Sequence, residues 1–353
     1  MSMLMQIPPV KLELGVAGYF IFEKFKSDAN GDEIPGTRER LAEFKNLITN
    51  TGLNAIFTSE TTANQYFGYS CAIGSGNNPP AVTNTDLQSY LIYVADDTSG
   101  NSGKPSALQT SGYAPDNTYV WRRWCFRFAD GLAAFNNIQE VGIYARGRAG
   151  SPQRPNVLCS RALILDSGGN PTSISILPDE TLDIYYEFRF YPPADVTGTI
   201  TLNGVDYPYN IRPIDFNNDT WNAWGYGTST ASGLRGIRND LQGGSYWAGN
   251  TSSAAFYASA NQTLYPKEQR ADSVWGATYG AAVATRSTYV TDSFTRTITI
   301  PMSLTECNVP GGVGSLFYST GIGAYKITFT GAKVPKTASF KWTQAFVFTI
   351  ARR

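Results

Sequence analysis

Leu182-Asp-Ile-Tyr-Tyr-Glu-Phe-Arg-Phe-Tyr191 (LDIYYEFRFY) is the stretch on which the fold turns. Read with a period of two, Ile184, Tyr186, Phe188 and Phe190 share one face, while Tyr185, Glu187 and Arg189 share the other. That alternation is a strand with one face turned to a core. Pro192-Pro193 stops it and marks a boundary. Upstream, Leu12–Phe22, Tyr119–Phe128, Val141–Tyr144 and Leu158–Leu165 have strand composition. Downstream, Ser293–Met302, Ala324–Thr330 and Ser339–Ala351 have it too. The clearest helix is Thr37–Thr49 (TRERLAEFKNLIT), where Leu41, Phe44, Leu47 and Ile48 recur at three- and four-residue steps. Thr51-Gly52 follows it in the manner of a helix end, with a left-handed glycine.

The pattern predicts a mainly β chain with two antiparallel β-sandwich-like domains, residues 1–192 and 193–353, meeting around 192–215, and one short helix near residues 37–49. The halves echo each other. Thr118-Tyr119-Val120 matches Thr288-Tyr289-Val290, and Ile176-Leu-Pro178 before one long strand resembles Lys333-Val-Pro335 before another. Duplication of one sandwich and convergence of ordinary strand-and-turn grammar both account for this.

Composition narrows function. The chain has 28 Lys+Arg against 28 Asp+Glu, so no net field draws it to nucleic acid or anionic lipid. Charged residues are 16% of it and aromatics 13%, which suits sheets with extensive protein contact. It has no histidine, which removes Ser-His and Cys-His pairs, His-ligated zinc and the usual proton shuttle. Cys71, Cys125, Cys159 and Cys307 form no C-x-x-C pair and read as buried free thiols. No apolar run approaches a membrane span and the start lacks a signal-peptide pattern, so a soluble protein made in the cytoplasm is expected.

Motifs for chemistry are weak. Asp28-Ala-Asn30-Gly-Asp32, with Glu39 eleven residues after Asp28, spaces its oxygens like a calcium loop, but Glu33 replaces the required glycine. Asp215-Phe-Asn217-Asn-Asp219 is a second such run, with Thr220 at that position. Asp96-Asp97 and Asp179-Glu180 are adjacent, so they point apart and look like turn residues rather than a glycosidase pair. No catalytic residue, metal or cofactor is expected. Residues 220–260 differ in kind, being rich in Gly, Ser, Asn, Trp and Tyr. Trp221, Trp224, Tyr226, Tyr246 and Trp247 there suit a domain core, a partner interface or stacking on sugar.

A longer pattern runs through the first half. Phe44-Lys-Asn46-Leu-Ile-Thr49 leads to Gly52-Leu53, and Gly74-Ser-Gly76 leads to Pro80 and then Thr85-Asp86-Leu87. Ile138-Gln-Glu140-Val-Gly142-Ile-Tyr144 is followed by Cys159-Ser-Arg161-Ala162. In this order, over roughly residues 10–192, the segments resemble those of tailed-bacteriophage virion structural proteins of the tail, baseplate and fibre-base kind. The resemblance implies scaffold roles for Asn46, Gly52, Gly74, Gly76, Pro80, Glu140, Gly142 and Arg161 and no enzymatic activity. It also implies a symmetric homo-oligomer in the virion tail region, partnered by copies of itself and other tail or neck proteins, without nucleic acid or membrane insertion. The alternative is a receptor- or glycan-binding tail protein that meets host-surface glycan through the Trp/Tyr loops. A capsid-decoration protein and a glycan hydrolase are further alternatives.

Overall fold

The computed structural model of the chain describes residues 3–6, 9–58, 67–95, 105, 108–115, 118–135, 137–145, 157–213, 256–260, 262, 278–279, 285–320 and 323–353. The fold is mainly β, with 54% strand and one helix among the described residues. The chain divides into two compact units. One is centred on Val16–Phe190 and takes in Arg352–Arg353; the other combines Met1–Gly15 with Tyr191–Asp240 and Ser245–Ala351. The division thus falls two residues before Pro192, and the first fifteen residues join the second unit.

In the Val16–Phe190 unit, one sheet places Glu39–Lys45, the Val10–Lys26 strand from Val16 onward, Glu180–Tyr191, Val120–Phe128 and Thr110–Tyr113 side by side. The other runs Leu47–Ile48, Val157–Leu163, Glu140–Ala145, Ser70–Gly74 and Tyr90–Ala95, antiparallel throughout. The period-two reading of the opening stretch holds in space. Ile184, Tyr186, Phe188 and Phe190 are buried, and the Tyr186 ring packs 5.0 Å from Phe20 and 6.0 Å from Trp124. The opposite face of the same strand is ionic. Asp183 accepts from Arg127 at 2.8 Å and from Arg38 at 3.3 Å, and Glu187 pairs with Arg123 and Arg189.

The helix expected near residues 37–49 is absent there. Residues 39–45 and 47–48 are strands, and the helix is Asn50–Thr58. The reason lies in pairing far along the sequence. Phe20 lies opposite Phe44 and Tyr19 opposite Lys45, so Ala42, Phe44, Asn46 and Ile48 are buried at period two. The segment's apolar spacing suited either period, and the sheet partner decided it. Thr49 begins the helix where it was expected to end one. Its hydroxyl accepts from the Gly52 amide at 3.0 Å, an N-cap, so Gly52 belongs to the first turn and not to a left-handed terminus.

In the second unit, Thr285–Arg286, Thr295–Met302 and Phe340–Arg352 follow one another in a sheet. Met3–Gln6 pairs in parallel with Phe340–Thr343. The last long strand, which could have served as an open edge, is therefore interior. The other sheet runs Val196–Leu202, Val205–Pro213, Gly323–Phe329, Ser315–Thr320, Phe256–Ser259 and Thr278–Tyr279, antiparallel throughout. Phe329 and Trp342, 6.1 Å apart, join the cores of the two sheets.

Lys326 is buried in this unit, and burial lowers its pKa from 10.5 to about 8. A lysine whose folded pKa is depressed favours the unfolded chain at low pH, and that penalty fades as pH rises from about 8 towards 10.5. The Cys307 thiol, pushed by burial up to about 12, works in the opposite sense. Lys326→Met should therefore raise the melting temperature at pH 7, and its advantage over the unmodified chain should shrink by pH 9.5 in a pH series of thermal melts. An advantage that stays constant across that series would contradict the assignment.

Candidate functional site

The first unit contains a fully enclosed ion pair. Glu140 lies in the Glu140–Ala145 strand and Arg161 in the neighbouring Val157–Leu163 strand, with side chains 0% and 2% exposed. Isolated buried charges are costly, so each must be completely engaged. Glu140 Oε1 accepts from the amides of Gly76 at 3.1 Å and Ser89 at 2.7 Å. Its Oε2 accepts from the Gln88 amide at 3.1 Å and from Arg161 Nε and Nη2, both at 2.8 Å. Arg161 spends its remaining donors on the carbonyls of Asn78 and Pro79 and on Asn84 Oδ1, at 3.0, 3.4 and 3.0 Å.

The pair therefore grips one loop, residues 75–89, from beneath at both ends and in the middle. The loop completes the hold with its own side chains. Gln88 Oε1 accepts from the Asn78 amide at 2.7 Å and Asn84 Oδ1 from the Ala81 amide at 2.7 Å. Leu87 is the apolar plug, packed on Ala72, Tyr144 and Leu158. The Tyr144 hydroxyl donates to Asp86 at 2.5 Å and accepts from the Leu87 amide at 3.2 Å. Outward, Asn77, Asn78, Pro79, Thr83, Thr85, Asp86 and Gln88 are exposed.

The glycines make room for this. A Cβ on Gly74 or Gly76 would lie 2.6 or 2.5 Å from Glu140 Oε1, inside the carboxylate's contact distance. One on Gly142 would lie 2.7 Å from Leu158 Cδ1 and 3.0 Å from Leu87 Cδ2. The close-approach reading of Gly142 thus has a concrete neighbour; Gly142 itself pairs with Arg161, and the bulge lies in the partner strand between Leu158 and Ser160, across from Tyr144 and Ile143. Pro80 is half-buried in the gripped loop.

Two of the eight scaffold residues lie outside the cage. Asn46 donates from Nδ2 to the Tyr186 hydroxyl at 3.2 Å, beside Gly18. Gly52 docks the helix on Cys159, whose carbonyl oxygen would be 2.1 Å from a Cβ there. The Asn50 amide, donating to the Val82 carbonyl at 2.7 Å, links that helix to the gripped loop.

Sequence reasoning missed Asn78, Asn84, Gln88 and Ser89 as cage members, because three of these act through main-chain atoms that carry no residue signature. Trp221, Trp224, Tyr226, Tyr246 and Trp247 lie outside the described residues, as does Asp215–Asp219. The Asp28–Asp32 run is a hairpin tip in which Asp28 Oδ1 accepts from the Asn30 and Asp32 amides, at 2.8 and 2.9 Å. Asp166 does the same with Gly168 and Asn170, both at 2.9 Å. In both tips these main-chain donors hold the carboxyl below its usual pKa range. Among the described residues no group of three or more Cys, Asp or Glu side chains is placed to hold a metal.

The cage carboxylate, held by three amides and an arginine, fixes the backbone of the loop. Compared with protein-family models, curated proteins and solved structures, the chain matches none of them.

Proposed function

We propose that the chain is a non-enzymatic structural component of a tailed-phage virion, from the tail, baseplate, fibre base or neck, in which its copies form a symmetric assembly. One observation supports this most. Five residues of the phage-like pattern, Gly74, Gly76, Glu140, Gly142 and Arg161, meet in the cage that sets a single shape for an exposed loop. A particle built of repeated copies needs surfaces that are the same in every copy, and a rigid loop costs little entropy to dock. In this reading the partners are other copies and neighbouring tail or neck proteins. The chain is made in the host cytoplasm and works without a cofactor. Antibodies raised against the purified chain should label the tail region of intact particles in electron micrographs. Label confined to heads, or particles that carry none of the chain, would overturn the reading.

A further inference from the structure

The Val196–Leu202 strand ends the six-stranded sheet, and among the described residues it is hydrogen-bonded on one side only, to Val205–Pro213. Its register runs unbroken from Val196 opposite Ile211 to Leu202 opposite Val205. Asn203 and Gly204, with φ of 51° and 78°, close the hairpin as a two-residue turn. Pro208 stands opposite Thr199. Proline has no N–H, so this cannot be a hydrogen-bonded pair. Bonded and non-bonded pairs alternate along an antiparallel ladder, so the N–H and C=O groups of Thr197, Thr199 and Thr201 point away from the hairpin partner. The side chains of these threonines are exposed as well. Natural edges are ordinarily blunted by lysine, proline or a bulge. VTGTITL has none of these.

We propose that this edge pairs antiparallel with the same edge of a second copy, about a two-fold axis at Thr199. The order of residues is self-complementary about that point. Thr197 meets Thr201, Thr199 meets its counterpart, Gly198 meets the larger Ile200, and Val196 meets Leu202. One face becomes a threonine ladder, a favourable cross-strand arrangement. The outward groups of the three threonines form about six main-chain hydrogen bonds across the axis. Two seven-residue strands bury less than the roughly 1,000 Å² expected of a stable interface, so the dimer is weak and forms as concentration rises. This contact goes beyond the virion reading and does not depend on it, because it is a property of the purified chain. It joins copies in pairs, whereas a ring joins them head to tail.

Sedimentation of the full chain over a wide concentration range should show a monomer–dimer equilibrium. Thr199→Lys and Thr199→Glu should each weaken it roughly tenfold or more, because like charges meet at the axis. An equimolar mixture of the two should regain association, Lys then facing Glu. Unchanged melting temperatures for both variants would show that the fold is intact. The proposal fails if the unmodified chain stays monomeric, if the variants associate as well as it does, or if the mixture associates no better than either variant.

Discussion

Glu140→Ala is expected to destabilise the Val16–Phe190 unit by about 3–5 kcal/mol, the range for breaking a buried ion pair from one side. Arg161 would keep its charge, 2% exposed, with its carboxylate gone, and the amides of Gly76, Gln88 and Ser89 would lose their acceptor. At roughly 2–4 °C per kcal/mol for a unit of this size, the melting temperature should fall by about 6–20 °C. The double variant Glu140→Met/Arg161→Met removes both charges and should lose less than the sum of the singles, because neither ion is left stranded. A urea-denaturation cycle on the four proteins measures this. A single variant within about 1 kcal/mol of the unmodified chain would mean that water reaches the cage and replaces the lost partner.

Gly52→Ala should also be strongly destabilising, against the ordinary rule. Within a helix, glycine to alanine normally adds up to about 1 kcal/mol. Here the new Cβ would fall 2.1 Å from the Cys159 carbonyl oxygen, a main-chain atom that cannot swing aside. Nor can the helix retreat easily. The Thr49 and Thr51 hydroxyls both donate to the Leu158 carbonyl, at 2.6 and 2.5 Å, and Arg352 holds the Ile48 carbonyl and Asn50 Oδ1. Overpacking costs about 1–3 kcal/mol where atoms can shift, and more where they are pinned, so a loss of about 3 kcal/mol is expected in thermal melts. A neutral or stabilised variant would show that the helix is free to slide on the sheet.

What could be read in advance follows the range of the interactions. LDIYYEFRFY announced its strand because its alternation is local. Phe44 and Ile48 satisfied a helical and an extended period alike, and only Phe20, twenty-four residues before Phe44, resolved them. The glycines of the Gly74-Ser-Gly76 run announced a tight loop but not its cause, since Glu140 stands 64 residues from Gly76. Nothing local marks the division at Gly15, which cuts through the Val10–Lys26 strand without any break in composition.

The parallel pairing of Met3 with Phe340 also governs the order of folding. Closing a loop of that length demands a large search for few immediate contacts. The Met3–Gln6 strand leaves the ribosome before the Phe340–Arg352 strand and must wait for it before it has that partner. Until then its main-chain N–H and C=O groups lack that partner and could pair with a foreign strand, the kind of exposed strand edge from which misassembly starts.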